Sequence, residues 1–286
     1  RPGDIVLVDR DCHKSHHYGM VLAGAQVVYL DSYPLNEYSM YGAVPLREIK
    51  HQLLQLKAAG KLDRVRMLLL TNCTFDGIVY NVERMMEECL AIKPDLVFLW
   101  DEAWFAFARF GPTYRQRTAM NAANTLRERL RSEDHAAAYA AQQEELKDAD
   151  EEALLSTRLL PPPGARVRVY ATQSTHKTLT SLRQGSMIHV NDQDFKGEVE
   201  ASFHEAYMTH TSTSPNYQII ASLDVGRRQV ELEGFEFVQR QVEAAMAMRR
   251  AISTHPLLKK YFKVLAAGDM IPEAYRESGV TSYYDP

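Results

Sequence analysis

The feature that most constrains this chain is a continuous apolar run that stops at two carboxylates. Residues 96–100 read Leu-Val-Phe-Leu-Trp, and Asp101 and Glu102 follow at once. A strand that is apolar at every position is typical of a parallel sheet covered by helices on both faces. The carboxylate of Asp101 would then lie at the mouth of a buried strand, where it is costly unless paired. The run therefore predicts an α/β fold with a polar site at one edge of the sheet.

Strands and helices alternate around this run. Hydrophobic patterning predicts strands at residues 4–9, 25–30, 66–70 and 185–190 and helices at residues 45–60, 82–92, 198–210, 216–232 and 235–252. The alternation predicts a three-layer α/β fold with a mainly parallel, doubly wound sheet.

A second predicted strand end carries a lysine. Residues 171–177 read Ala-Thr-Gln-Ser-Thr-His-Lys and directly follow the apolar alternation of Val167 and Val169. A single lysine is usually a solvated surface charge. Hydroxyls and a histidine crowd this strand end, however, and a lysine held in such a pocket can lose its proton and form a Schiff base with a carbonyl. The pattern favours Lys177 as a functional residue.

Asp101 complements such a lysine. A carboxylate beside the pyridine nitrogen of pyridoxal phosphate keeps the ring protonated, so that the ring can accept electrons from a bond broken at the α-carbon of a substrate. The alternative is a strand-end aspartate that caps the next helix. The residues alone leave both interpretations open.

Several motifs in a fixed order resemble one family. They are DRDCHKSHHYG at residues 9–19, TNCTFDG at residues 71–77, DEAW at residues 101–104, STHK at residues 174–177, GSMIHV at residues 185–190 and HTSTSP at residues 210–215. Together they resemble the catalytic domain of the bacterial ornithine/lysine/arginine decarboxylases, pyridoxal-phosphate enzymes with the aspartate-aminotransferase fold (fold type I). The resemblance covers most of residues 3–225.

The resemblance implies a role for each motif residue. Lys177 would carry pyridoxal 5'-phosphate, and Asp101 would hold the ring nitrogen. His13 and Ala103 would cover the two faces of the ring. Two pairs would bind the phosphate: Ser174 and His176 in the same subunit, and Thr213 and Ser214 of the neighbouring subunit. The last pair implies a homodimer or a higher homo-oligomer.

The resemblance also implies a reaction. It is the decarboxylation of a basic amino acid, arginine, lysine or ornithine, to the corresponding amine. DEAW followed by the aromatic run of residues 105–110 leans towards arginine. Two alternatives stay open: a non-catalytic regulatory relative that keeps the fold, and an aminotransferase or lyase of the same fold.

Charge and cysteine usage exclude several classes. The formal net charge is −4 and the isoelectric point is about 6.2, so nucleic acid and anionic membranes are not expected partners. No apolar run reaches the roughly 20 residues that span a bilayer. The three cysteines lack CxxC spacing, and the histidines at positions 13, 16 and 17 lack suitably spaced thiolates or carboxylates, so no metal is expected. We expect a cytoplasmic protein.

Residues 114–163 break the rhythm of strands and helices. Their first half is basic and their second half acidic, and repeated alanines favour helix, which predicts a charged helical hairpin inserted at the surface. The predicted domains are a catalytic domain at residues 1–253 and the start of a small C-terminal domain at residues 254–286. An upstream phosphate-binding turn of the family has no counterpart here, so we expect the N-terminal part of the catalytic domain to be absent.

Overall fold

The computed structural model describes residues 1–276 and has a central sheet flanked by helices. Its strands are β1 (Ile5–Asp9), β2 (Gln26–Leu30), β3 (Pro34–Leu35), β4 (Met40–Tyr41), β5 (Val65–Thr71), β6 (Val97–Asp101), β7 (Arg168–Ser174) and β8 (Ser186–Asp192). Six strands form the main sheet in the order β2-β1-β5-β6-β7-β8, and β3 pairs with β4. All neighbours in the main sheet are parallel except β7 and β8. The predicted mainly parallel α/β fold is confirmed.

The helices are α1 (Lys14–Ala23), α2 (Leu46–Ala58), α3 (Val82–Ile92), α4 (Pro112–Arg115), α5 (Ala119–Arg129), α6 (Glu133–Glu145), α7 (Glu151–Ser156), α8 (Thr175–Thr178), α9 (Glu200–His210), α10 (Tyr217–Thr254) and α11 (Ala267–Met270). The boundaries predicted for α3 are those observed. The predicted break between residues 232 and 235 is wrong, because α10 runs through it as one helix of 38 residues.

Gly234 lets α10 pass close to the segment that contains Phe110. A Cβ at this position would lie 2.7 Å from Cδ1 of Phe110, so the glycine permits a close crossing of the helix over residues 106–110. Gly226, two turns earlier, is equally confined, because a Cβ there would overlap the carbonyl oxygen of Thr180. Both glycines cost the helix some stability but allow close packing.

Successive residues of the strands face two different hydrophobic clusters. In β6, Phe98 and Trp100 face the larger cluster, which contains side chains of α2, α3 and α5, whereas Leu99 faces a smaller cluster with Met20 of α1. This is the period of two that a strand covered on both faces requires. The same parity directs Asp101 towards α1 and Glu102 towards α5.

Helix α5 corrects the prediction for residues 114–163. Its residues Ala119, Ala122, Ala123 and Leu126 are fully buried in the larger cluster. The first helix of the predicted surface hairpin is therefore part of the core. Small side chains at this spacing let the helix approach the sheet closely. The second half, α6 and α7, is mostly exposed, as predicted.

Residues 255–276 pack back onto the loop that contains β3 and β4. The hydroxyl of Tyr33 donates to the carbonyl oxygen of Met270 at 2.9 Å, and the ring of Tyr33 stacks on that of Tyr275 at 4.4 Å. The division at residue 253 stays a prediction, and residues 277–286 of the predicted small domain lie outside the described residues.

Candidate active site

Polar side chains gather where β5, β6 and β7 end. Asp101 is paired with Thr71 on one side and Thr172 on the other, and the amide of Asn72 donates to the carbonyl oxygen of Asp101 at 2.9 Å. The three strands are parallel, so their carboxyl ends meet at one edge of the sheet. The backbone of Asp101 is thereby fixed from both sides.

The Asp101 carboxylate is buried and held by two donors. Its Oδ2 lies 2.8 Å from Nε2 of His16, and its Oδ1 accepts from the amide of Ala103 at 3.0 Å. Burial acts to raise the pKa of Asp101, but the His16 and Ala103 hydrogen bonds and the charges of His16 and Lys177 outweigh burial and hold this pKa below its usual value. Asp101 is therefore an ionised carboxylate near neutral pH.

Lys177 lies in the single turn of α8 that follows β7. Its Nζ lies 4.9 Å from the centre of the Trp104 ring, and its charge helps to lower the pKa of Asp101. The Trp104 ring meets the Phe75 ring edge to face at 5.8 Å. The structure thus brings Lys177 to the same sheet edge as Asp101, with an aromatic face beside its ammonium group.

The loop of residues 175–185 is fastened at several points. Nδ1 of His176 donates to the carbonyl oxygen of Gly185 at 2.9 Å, which orients the ring. The amide of Leu182 donates to Oγ of Ser222 in α10 at 3.0 Å. Ser174 is the last residue of β7 and is half-buried. The predicted residues Ser174, His176 and Lys177 therefore lie on one braced segment.

The remaining predicted residues are more peripheral in this chain. His13 is exposed and caps α1, where its Nδ1 accepts from the amide of Ser15 at 3.3 Å. Ala103 is half-buried and contributes its amide to Asp101. Thr213 and Ser214 are exposed between α9 and α10, and the amide of Ser214 donates locally to Oγ of Ser212 at 3.1 Å.

Sequence reasoning missed His16. Of the histidines at positions 13, 16 and 17, only His13 was predicted to be a site residue, and His13 caps α1. His16 is one helical turn further along and faces the sheet edge, where 13% of its side chain is exposed. No local pattern distinguishes His16 from its neighbours, because its partner Asp101 lies 85 residues away in the sequence.

Two open clefts lie elsewhere on the molecule. One, of about 690 Å³, is lined by residues of α2, Leu155 and Ser156 of α7 and residues 274–276, and the other, of about 570 Å³, is lined by Arg127, Arg131 and the end of β8. Neither is lined by Lys177 or Asp101. The candidate site is thus defined by the side chains at the sheet edge.

Within residues 1–276 no helix has the length and apolar character needed to cross a bilayer. The same residues contain no cluster of three or more histidine, cysteine or acidic side chains arranged to hold a metal ion.

Comparison with known families gives one consistent result. The family model described as "Orn/Lys/Arg decarboxylase, major domain" matches residues 1–131 and 163–271. The unmatched residues between the two segments contain α6 and α7. The family resemblance inferred from the motifs is confirmed. The unmatched residues lie within the predicted insertion, residues 114–163, whose bounds stay a prediction.

Individual relatives agree with the family match. Lysine decarboxylase LdcA of Pseudomonas aeruginosa is 34% identical over 87% of this chain and 29% of its own length. The biodegradative arginine decarboxylase of Escherichia coli K12 is 32% identical with the same coverage. The crystal structure of the lysine decarboxylase LdcF of Francisella novicida matches with a TM-score of 0.63 and 27% identity, over 92% of this chain and 30% of that one. The chain therefore spans less than a third of the length of the relatives that it matches.

Proposed function

The chain belongs to the Orn/Lys/Arg decarboxylase family, and from this premise we propose that it forms part of an enzyme that decarboxylates a basic amino acid with pyridoxal 5'-phosphate as cofactor. The observation that carries the proposal is the presence of Lys177 and an ionised Asp101 at one sheet edge, Asp101 at the end of β6 and Lys177 in the helical turn that follows the neighbouring strand β7. A primary amine binds the cofactor aldehyde, and a carboxylate pairs with the protonated ring nitrogen.

The chemistry of the residues present fits this cofactor. Asp101 has a lowered pKa, as a partner for a pyridinium must have. The hydroxyls of Thr178 and Thr180, close to Lys177 in the sequence, are buried and lack a hydrogen-bond partner. A buried donor without a partner is costly, and a phosphate or hydroxyl acceptor would remove that cost.

Each residue would perform a separate task. When bound, pyridoxal phosphate accepts the electron pair that carbon dioxide leaves at the α-carbon. Lys177 would hold the cofactor through Nζ and would supply a proton to the α-carbon of the substrate. Asp101 stays ionised because His16 and Ala103 donate to it, and Trp104 shields one side of Nζ from water.

The other motif residues complete the proposed cofactor site. His13 and Ala103 would cover the ring faces, and Ser174 and His176 would donate to the phosphate. Thr213 and Ser214 serve the phosphate of a neighbouring subunit, for which their exposure between α9 and α10 leaves them accessible. The proposed assembly is a homodimer or a higher homo-oligomer. We place it in the cytoplasm, in keeping with the free thiols of Cys12, Cys73 and Cys89.

Reduction and peptide mapping test the cofactor assignment. The full-length protein, loaded with pyridoxal phosphate and treated with borohydride, should carry a pyridoxyl group on Lys177. Lys14 and Lys196, which are exposed, serve as internal controls. A label on either of them and not on Lys177 would refute the assignment.

A substrate panel tests the reaction. Arginine, lysine and ornithine are offered to the same preparation, and carbon dioxide and the amine product are measured. Relatives named for each of the three substrates match this chain, so the panel decides among them. From the DEAW motif we expect arginine to be the preferred substrate. Formation of a keto acid without carbon dioxide would identify an aminotransferase instead.

A further inference from the structure

Glu102 is a buried carboxylate that the proposed mechanism does not use. Its exposed fraction is 0%, although its neighbours Asp101 and Trp104 reach the candidate site. Strand parity explains the difference, because the side chain of Glu102 continues the face of Phe98 and Trp100. The carboxylate thus lies behind the site, on the side covered by α5.

Three donors converge on this carboxylate. Oε1 accepts from the first amide of α5, that of Ala119, at 2.7 Å and from Nδ2 of Asn72 at 3.1 Å, and Oε2 accepts from Nε2 of Gln173 at 2.9 Å. Burial raises the pKa of Glu102, whereas the hydrogen bonds from Ala119, Gln173 and Asn72 act to lower it. Every partner is a donor, which favours the ionised carboxylate over the protonated acid. The positive end of the α5 dipole adds to this preference.

The contacts extend across four strands. Asn72 follows β5, Glu102 follows β6, and Gln173 belongs to β7, while Nε2 of His189 in β8 lies 3.1 Å from Oε1 of Gln173. A carboxylate only accepts, so Gln173 must present its amide nitrogen to Glu102 and its oxygen to His189. His189 then donates through Nε2. The direction of the whole chain of hydrogen bonds is set by the charge of Glu102.

The same residues hold the backbone that carries the site. Besides its bond to Glu102, Asn72 donates its amide to the carbonyl oxygen of Asp101 at 2.9 Å. The amide of Glu102 donates to Thr172 at 2.9 Å, and its carbonyl oxygen accepts from Phe105 at 2.8 Å. These bonds shape the turn of residues 101–105, from which Asp101, Ala103 and Trp104 reach the candidate site.

We propose that Glu102 is a positioning residue: an ionised hub that fixes the turn of residues 101–105 and thereby aligns Asp101 and Trp104 with Lys177. The role of these three residues rests on the proposed function. The charge of Glu102 and its hydrogen bonds do not rest on the proposed function, since they are properties of the chain without a cofactor.

Cys73 offers a direct readout of that charge. Burial, together with the negative charge of Glu102, raises the pKa of Cys73 to about 11. In the full-length protein without cofactor, the rate of alkylation of Cys73 by iodoacetamide is measured against pH by mass spectrometry. Glu102→Gln should move the midpoint of this profile to lower pH. Glu128→Gln, an equal change at an exposed position of α5, should leave it in place. An unmoved midpoint in Glu102→Gln would overturn the ionised hub.

A charge exchange separates positioning from simple structural support. In Glu102→Gln, an amide nitrogen faces Nε2 of Gln173 until Gln173 and His189 reverse their hydrogen bonds, whereas the double variant Glu102→Gln/Gln173→Glu keeps a donor for every acceptor in the parent orientation. We expect the single variant to lose at least tenfold in kcat and to shift the pH dependence of cofactor absorbance, with the double variant recovering most of both. A single variant with the kcat and absorbance profile of the parent would overturn the positioning role. Failure of the parent to decarboxylate would instead refute the proposed function, and absorbance would then be the readout of positioning.

Discussion

At the residue scale, the state of Asp101 depends on His16. Both side chains are nearly buried, and the interatomic distance of 2.8 Å is that of a strong hydrogen bond. The hydrogen bond from His16 is the largest effect that opposes burial, so the pKa of Asp101 would rise without this donor. A protonated Asp101 could not pair with a pyridinium, so His16 controls the lower pH limit of the proposed activity.

Replacing His16 by leucine should therefore move the acid limb of the pH–kcat/KM profile to higher pH. The folded-state pKa of Asp101 is lowered, so its contribution to stability is present above the unfolded-state pKa and is lost as pH falls through the folded-state value. The variant should consequently also begin to lose stability at higher pH during acid titration, by about 1.4 kcal/mol for each pH unit of pKa change. The control is His17→Leu, since His17 contacts Tyr29 and Cys12 instead. Coincident acid limbs for His16→Leu and the parent would contradict the prediction.

At the element scale, local patterns predicted the six strands of the main sheet and the long helices α2, α3 and α9, but not the role of α5. Its arginines predicted a helix on the solvated surface. In the structure, one face of the helix is a buried stripe at i, i+3, i+4 and i+7, formed by Ala119, Ala122, Ala123 and Leu126. Small residues give a weak hydrophobic signal and are recognised as core only when the facing strand is known. The antiparallel direction of β8 is likewise set by pairing with β7 and not by its own residues.

Leu126→Ala should lower the free energy of unfolding by about 2–5 kcal/mol, because it removes a fully buried side chain and leaves a cavity between α5 and the sheet. Urea titration followed by circular dichroism measures the change. Leu257→Ala makes the same substitution at a side chain that is 55% exposed and should cost far less. Equal losses for the two variants would show that α5 is not part of the core.

The insertion that contains α6 and α7 is attached by a buried lysine. Nζ of Lys50, on α2, donates to Glu88 at 2.7 Å and to the carbonyl oxygens of Leu155 and Thr157 at 3.2 and 2.7 Å. The last two bonds join α2 to the end of the insertion. Only 2% of Lys50 is exposed, so its ammonium group is removed from water and depends on these three acceptors.

Lys50→Met should loosen this attachment. It removes one of the two cations that pair with the buried carboxylate of Glu88. The free energy of unfolding should therefore fall by about 3 kcal/mol. Limited proteolysis should then cut residues 146–158 faster than in the parent, while Lys57→Met, an exposed change on the same helix, should not alter the rate. Unchanged cleavage in Lys50→Met would mean that other contacts hold the insertion.

At the scale of the whole molecule, α10 is mostly exposed and carries several large apolar side chains on its surface. Only Gly226, Gly234 and Val238 of its 38 residues are buried, whereas Leu232 is 80% and Phe235 57% exposed. Apolar surface of this kind marks a contact with another folded unit. The proposed second copy of the chain would cover it.

Leu232→Glu in the full-length protein should therefore reduce the assembly mass measured by light scattering. Gln241→Glu adds the same charge at an exposed polar position of α10 and should leave the mass unchanged. An unchanged mass in Leu232→Glu, with lower thermal stability, would place the rest of the same chain, and not a second copy, against α10.

The sequence located the two ends of the candidate site because Asp101 terminates a recognisable strand and Lys177 follows the end of another by three residues. It did not reveal His16 and Glu102 as their supports, because these residues act through contacts made at sequence separations of 85 and 71 residues. Such contacts depend on the order of the strands in the sheet, which no local pattern contains.

The antiparallel direction of β8 has a consequence for how the site assembles during folding. The pair Ser174–Ser186 closes the short loop that carries Lys177, whereas Asp101 meets His16 only across 85 residues. Short loops lose less entropy on closure, so local contacts form sooner than distant ones. We expect pulse-labelled hydrogen exchange to protect the β7–β8 hairpin before the backbone around Asp101. During refolding, the loop that carries Lys177 would thus form before Asp101 reaches its contact with His16.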